Sequence, residues 1–205
     1  MKKIVLISAA VLLWACSNEQ KSSSVDSNAV ELKGEKVIDT AAMNKAWADY
    51  MTPGDVHKML ASTEGKWNAE IAFYYSPDSP SVSKLTCENK MILGGRYQQS
   101  MYEGSIEGMP FEGINTLAYD NAKKIYISTW IDNMGTGVMH LEGKYDEASK
   151  KMHLQGKATD VVSGQPINVR EVFTFVDKDT QLMEMFEEKN GKEMKTMSIS
   201  LKRAK

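Results

Sequence analysis

The chain has 205 residues, which is enough for one domain with its own hydrophobic core and fewer than two domains of typical size would need. Hydrophobic residues make up 42% and charged residues 25% of the sequence, which is typical of a globular protein. The formal net charge of −2 shows no excess of basic residues of the kind that binds nucleic acid, so we expect no nucleic-acid partner.

The first fifteen residues have the features of a bacterial lipoprotein signal peptide. A basic start precedes an apolar run from Ile4 to Trp14, which is too short to span a bilayer of about 30 Å. The segment from Leu13 to Cys16 resembles a lipobox, although Trp14 departs from the smaller side chain that the pattern prefers. We therefore predict a signal peptide over residues 1–15 and lipidation of Cys16. An ordinary secretory signal with a chance Cys is the alternative.

Residues 16–36 are polar and rich in Ser, with almost no large apolar side chain. Such a segment buries too little surface to fold, so we predict a flexible tether between the membrane and a domain over residues 37–205. By resemblance to lipoprotein sorting patterns, Ser17 in place of Asp favours the outer membrane. The expected location is the bacterial cell envelope, with the membrane contacted through the lipid on Cys16.

Two helices are predicted at the start of the domain. Asp39 and Thr40 precede apolar residues at helical spacing, namely Met43, Trp47, Tyr50 and Met51. Thr52 and Pro53 then predict the N-cap and first residue of a second helix. Its buried stripe consists of Val56, Met59 and Leu60. We expect Gly65 to end this second helix.

From Trp67 onward the apolar period changes to two, which predicts β-strands. After the first run at 67–75 come nine more, at 85–93, 96–106, 111–119, 124–132, 137–145, 151–160, 167–176, 181–188 and 193–202. No gap between these runs has room for the helix that a parallel connection requires. An antiparallel meander leaves two exposed edges unless it closes. The predicted fold is therefore mainly β, an antiparallel up-and-down barrel of about ten strands preceded by two short helices.

The motif Gly65-Lys66-Trp67, placed between a helix and the first strand of a meander, resembles the calycin superfamily of lipocalins, fatty-acid-binding proteins and nitrobindin-like barrels. The resemblance implies a calycin-like barrel with Trp67 packed across its closed end. It also implies that Arg203, near the end of the last strand, lies over Trp67. The alternative is that Trp67 is ordinary core and Arg203 belongs to a solvated tail.

A longer resemblance covers residues 52–202. Segments that carry it include Met91–Arg96, Gly108–Gly113, Ser128–Met134 and Val169–Glu171. They are similar to an uncharacterised bacterial family known as domain of unknown function 1579. The resemblance implies no known activity and no assigned catalytic residue.

Candidate ligand-binding residues come from the strand alternation. On the run 124–132, the face with Trp130 and Asp132 suits a ligand cavity, and the opposite face suits packing beneath the helices. For Asp132 the simpler alternative to a cavity role is that it starts the turn after this strand. An inward Arg170 would bind a ligand carboxylate through two hydrogen bonds. The alternation of Glu171 with the following phenylalanines instead favours an outward Arg170. The predicted set is Trp130, Asp132, Met139, Met183, Met185 and Arg170.

Metal and nucleophilic chemistry have little support. We read the three His, at positions 57, 140 and 153, as solvated surface residues. The 14 Met scatter over nearly every strand, which favours an adaptable apolar interior over a Cu(I) site. Cys87 is most simply a buried small hydrophobe. We expect no metal, no cofactor and no catalytic residue.

The sequence thus favours an envelope lipoprotein whose barrel binds a small apolar or amphipathic ligand without catalysis. The first alternative is a structural or partner-binding envelope module with a filled barrel. The second is an uncharacterised enzyme that uses Trp130, Asp132 and Arg170.

Overall fold

In the computed structural model of this chain, the described residues are 39–76, 79–189 and 191–205. The predicted signal peptide over 1–15, the lipidation site Cys16 and the tether over 16–36 lie outside these residues. Within the described ranges, no helix is both long enough and apolar enough to cross a membrane.

Two short helices precede the barrel, as predicted. Helix α1 spans Thr40–Met51 and begins after Asp39, whose carboxylate accepts a hydrogen bond from the Ala41 amide at 2.9 Å. Helix α2 spans Asp55–Ala61. The apolar residues of α1 are exposed on the outside of the barrel, with Met43 at 42% and Trp47 at 56%.

The predicted start of the second helix at Thr52 is wrong. Thr52 is the C-cap of α1 and is extended, as residues before proline usually are, because the ring of Pro53 disfavours a helical conformation there. Gly54 is the N-cap of α2, and its backbone N–H donates to Nδ1 of His57 at 3.0 Å. The side-chain amide of Asn121 donates to the carbonyl of Thr52 at 2.9 Å and fixes the junction between the helices to the barrel.

Ten antiparallel strands form a closed barrel, which confirms the predicted fold. The strands are β1 Gly65–Phe73, β2 Ser81–Ile92, β3 Tyr97–Ile106, β4 Met109–Asp120, β5 Ile125–Asp132, β6 Met139–Asp146, β7 Lys151–Thr159, β8 Pro166–Asp177, β9 Thr180–Lys189 and β10 Lys192–Arg203. Each strand pairs with its sequence neighbours, and β1 closes the ring by pairing with β10, with Trp67 opposite Arg203. Closure leaves no sheet edge.

Short turns make this meander possible. After β4, the Asp120 carboxylate accepts a hydrogen bond from the Ala122 amide at 2.8 Å, and after β6, Asp146 accepts one from Ala148 at 3.1 Å. Such turns connect antiparallel neighbours directly.

The core lies inside the barrel because alternate residues of each strand point inward. On β1, Trp67, Ala69 and Ile71 are buried while the residues between them are exposed. Leu60 of α2 is fully buried and packs with a cluster that includes Leu141. Helix α2 thus seals one end of the barrel, where burial of an aliphatic side chain of this size contributes roughly 1.5–3 kcal/mol.

Candidate functional site

The sealed end of the barrel is organised around Trp67. Its side chain is fully buried, and the indole Nε1–H donates to the carbonyl of Thr63 at 3.0 Å. The guanidinium carbon of Arg203 lies 4.3 Å from the centre of the Trp67 ring. The structure therefore brings these two residues together as a stacked pair.

Arg203 also joins two parts of the backbone. It donates to the carbonyls of Glu64 at 2.7 Å and Ser62 at 3.2 Å, and to the carbonyl of Lys178 through Nη2 at 3.0 Å. The carboxylate of Asp179 lies 3.2 Å from Nε. These contacts tie the segment after α2 to the turn between β8 and β9, so Arg203 has a structural role.

Gly65 begins β1 instead of ending α2, which corrects the sequence prediction. Its φ of +117° is rarely adopted by residues with a side chain, and a Cβ there would lie 3.3 Å from Nη1 of Arg203. The backbone conformation favours glycine at this position, and an added Cβ would crowd the guanidinium of Arg203.

The core contains two hydrophobic clusters, one that includes Trp67 and one that includes Leu60 and Leu141. An interior cavity of about 60 Å³ is lined by side chains of both clusters. Its apolar wall includes Trp130, Met152, Phe173, Phe175 and Met183. Its polar wall consists of Asn89, Gln98, Ser100, Tyr102, Asn115, Ser128, Glu171 and Gln181. The volume holds a few waters or a handful of non-hydrogen atoms, and it is smaller than the ~300 Å³ of a usual ligand pocket.

Several of these polar side chains already have protein partners. The amide of Gln98 donates to the hydroxyl of Thr63 at 2.7 Å, and Asn89 donates to the carbonyl of the same residue at 3.2 Å. Asn115 donates to the hydroxyl of Ser128 at 2.7 Å. Since they connect the barrel wall to the segment after α2 and strand β4 to strand β5, these groups are explained by the fold.

Glu171 and Gln181 differ from that set. Glu171 is 8% exposed and Gln181 is 2% exposed, and both face the cavity. Within the described part of the chain, neither side chain has a hydrogen-bond partner. Neither is a fully enclosed unpartnered group, since Thr196 Oγ1 is the one such side-chain atom among the described residues. The polar ends of Glu171 and Gln181 instead face the cavity, where water or a ligand can hydrogen-bond to them.

The environment of Glu171 favours its neutral form. Burial raises the pKa of Glu171 to about 7. Tyr102 faces it from β3, five strands away around the ring of ten, and burial raises the pKa of that phenol well above its ordinary value. Burial also raises the pKa of the neighbouring Cys87 thiol to about 12. Among the described residues that line the cavity, none is Lys, Arg or His.

Trp130 lines the cavity, whereas Asp132 does not. The indole Nε1–H of Trp130 donates to one carboxylate oxygen of Asp132 at 2.6 Å, and the other oxygen accepts from the amide of Met134 at 2.9 Å. Asp132 thus starts a turn and orients the indole. Gly113 leaves room for the ring, because a Cβ there would lie 2.6 Å from it.

The predicted methionines occupy three different places. Met183 is 8% exposed and lines the cavity. Met185 is half-buried and packs against the core without lining the cavity. Met139 pairs with Trp130 at the start of β6, and the two line a surface depression near the loop that follows β5.

The inward alternative for Arg170 is wrong. Its guanidinium donates to both carboxylate oxygens of Glu193 at 2.7 Å and lies 4.1 Å from the ring centre of Phe186, outside the cavity. The strand alternation places Glu171 inward and its neighbour outward. The structure therefore does not bring Trp130, Asp132 and Arg170 together at one site, as the enzyme hypothesis required.

The surface assignment of His57 is also wrong, because this residue is 5% exposed. It accepts the N–H of Gly54, as described above, and its ring contacts Tyr119 edge-on with centroids 6.2 Å apart. The side chain of His140 is 53% exposed. No group of three or more His, Cys, Asp or Glu within the described ranges is placed to hold a metal ion.

Sequence reasoning did not select Glu171 and Gln181 as site residues. A signal for Glu171 was present, because it alternates with Phe173 and Phe175 on the inner face of the predicted strand. Burying a carboxylate among apolar side chains costs free energy unless the charge is paired or neutralised, so such a residue is a candidate for a functional site. Gln181 carries no comparable signal, since it opens a strand where a polar residue is ordinary.

Comparison with known proteins agrees with the barrel. The family described as "Protein of unknown function (DUF1579)" matches residues 52–203. A solved structure, "Crystal Structure of Rv2717c from M. tuberculosis", is similar with a TM-score of 0.54 and 11% identity, covering 75% of this chain and 100% of that chain. At this identity the likeness extends to the fold alone. No curated protein matches this chain.

Proposed function

Since this chain belongs to the DUF1579 family of proteins of unknown function, its role has to be argued from the barrel, and we propose that it binds a small amphipathic ligand in the interior cavity without catalysis. One observation carries the proposal. The cavity combines an apolar, aromatic wall with two buried polar side chains, Glu171 and Gln181, that form no side-chain hydrogen bond to another described residue. Mostly apolar walls with a few oriented polar groups are typical of small-molecule sites.

The size of the cavity limits the ligand. About 60 Å³ accommodates a compact molecule and not an extended acyl chain. Met152 and Met183 lie in the wall, and their unbranched thioether side chains adopt new rotamers at low cost. Movement of these two residues would widen the cavity around a ligand of the size of a single substituted ring.

Binding is testable with the purified full chain and benzyl alcohol, a compact molecule with an apolar ring and one hydroxyl. We expect saturable one-site binding that changes the emission of Trp130, and loss of the signal in a Trp130→Phe variant. Chemical shifts of backbone amides provide a second readout.

A matched pair of substitutions on β3 tests the location. Ser100 is 7% exposed and lines the cavity, while Ser105 on the same strand is exposed. Ser100→Leu should fill the cavity and abolish binding, and Ser105→Leu should leave binding unchanged. If the well-folded wild-type chain binds no benzyl alcohol, the barrel is filled and the partner-binding alternative replaces this proposal.

We also propose that the chain is a lipid-anchored protein of the cell envelope, acylated at Cys16 and held by the tether over residues 16–36, with the outer membrane favoured by Ser17. Cells expressing the full chain and fed a labelled fatty acid should incorporate the label into the wild-type protein. A Cys16→Ser variant should lose the label and leave the membrane fraction. Wild-type protein without label, or recovered from the soluble fraction, would contradict the anchor.

A further inference from the structure

The cavity contains a fixed acceptor, and this deepens the proposed function, on which the inference rests. Glu171 and Gln181 form no side-chain hydrogen bond to another described residue, and the described lining includes no basic side chain. We infer that the ligand presents a hydrogen-bond-donating cationic head group, an ammonium, to Glu171, and that carboxylate ligands are rejected.

The chemistry of the wall supports an ammonium. An ionised carboxylate only accepts hydrogen bonds, and an ammonium only donates them. The carboxylate of Glu171, the amide oxygen of Gln181 and the hydroxyl of Ser100 give three acceptors in the same lining. A buried ion pair is favourable only if further hydrogen bonds satisfy both charges, and the inference assigns this role to the acceptors of Gln181 and Ser100 in the same lining.

The same wall disfavours an anion. The described residues that line the cavity include no Lys, Arg or His that could neutralise a ligand carboxylate. Two of the arginines are engaged away from the cavity, because Arg170 is paired with Glu193 on the outer face and Arg203 lies over Trp67 at the sealed end. A second carboxylate beside Glu171 would add like-charge repulsion in a medium of low dielectric.

Ionisation of Glu171 should therefore control affinity. The titratable group that faces it is Tyr102 from β3, and Cys87 of β2 lies opposite Tyr102 on the neighbouring strand. Burial raises the pKa of both groups above the range of the assay. Burial raises the pKa of Glu171 itself to about 7, so its ionised fraction rises about tenfold between pH 6 and pH 8. An ammonium ligand that requires the carboxylate gains affinity over this range by about the same factor.

The experiment compares benzylamine, benzyl alcohol and benzoate, which share one ring and differ in the polar group. Dissociation constants for the full chain are measured by NMR titration at pH 6, 7 and 8. We expect benzylamine to bind about tenfold tighter at pH 8 than at pH 6, and at pH 8 at least about tenfold tighter than benzoate. Benzyl alcohol should change little.

Two variants separate the charge of Glu171 from its shape. Glu171→Gln keeps the side-chain size and should reduce the advantage of benzylamine over benzyl alcohol to within about threefold and abolish its pH dependence. Glu103→Gln, which removes an exposed carboxylate from the outer face of β3, should leave both unchanged.

The outcomes distinguish the two proposals. If none of the three probes binds, the proposed function fails. If benzyl alcohol binds but benzylamine is no tighter, or if benzoate binds best and weakens as the pH rises, the cavity binds ligands and the ammonium preference is overturned. Retention of the full benzylamine preference in Glu171→Gln would overturn it as well.

Discussion

Replacing Glu171 with Gln should stabilise the folded protein at high pH. The pKa of this carboxyl is about 7 in the folded state against 4.5 as the ordinary value, because burial penalises the charged form. As the pH rises from 4.5 to 7, the unfolded chain loses this proton first, so the free energy of unfolding falls across that window and stays lower above it. Below pH 4.5 the group is protonated in both states and has no such effect.

The magnitude follows from the pKa difference. At about 1.4 kcal/mol per pH unit, raising the pKa from 4.5 to about 7 corresponds to roughly 3 kcal/mol of lost stability at pH 8. Glu171→Gln removes the ionisable group and keeps the side-chain volume. The variant should therefore exceed the wild-type free energy of unfolding by about 3 kcal/mol at pH 8 and by little at pH 4.5.

Urea denaturation followed by circular dichroism at several pH values measures this difference. Other titrating residues, His57 among them, contribute equally to both proteins, so they cancel when the variant is compared with the wild type. Glu103→Gln provides the control, because Glu103 is exposed on the outer face. A variant no more stable than the wild type at pH 8 would refute the claim that the carboxyl is desolvated and unpartnered.

Arg203→Ala should lower the free energy of unfolding by about 2–4 kcal/mol in urea denaturation, because the contact with Trp67 and the hydrogen bonds to backbone carbonyls are lost. Gly113→Ala should cost about 1–3 kcal/mol and shift the emission of Trp130, whose ring occupies the space that the new methyl group needs. His57 should titrate by NMR below 6.5, because burial lowers its pKa. Since the unfolded chain takes up this proton first, the stability that His57 contributes is present above pH 6.5 and is lost as the pH falls through its folded-state pKa.

Each of these three predictions has a control. Arg170→Ala removes a salt bridge on the outer face and should cost no more than about 1 kcal/mol. Gly137→Ala adds a methyl group with nothing within 4 Å and should be close to neutral. His140→Gln, at an exposed position, should leave the pH dependence of stability near that of the wild type. Equal effects in a variant and its control would contradict the structural reason given for that variant.

Local patterns predicted the barrel because they reflect backbone physics that acts residue by residue. The two-residue apolar period marks strands with one buried face, and short turns such as those at Asp120 and Asp146 permit only antiparallel neighbours. Closure follows because a ten-stranded meander otherwise leaves edges unpaired. The predicted start of α2 was wrong because two candidate N-cap residues, Thr52 and Gly54, lie within a few positions of each other. The hydrogen bond from Asn121 holds Thr52 at the end of α1, and Asn121 is remote in sequence.

The contents of the barrel were decided by tertiary structure. Alternation assigns Glu171 to the inner face, but whether an inward carboxylate meets a cation, a hydrogen-bond donor or an empty space depends on strands far away in the chain. The same dependence explains the error at His57, which Tyr119 covers. It also applies to Arg170, whose outward direction the alternation favoured but whose partner Glu193 lies on β10. Sequence periodicity determines which way a side chain points, because that depends on its own backbone. Only the packed fold determines what the side chain meets, because its partners come from other strands.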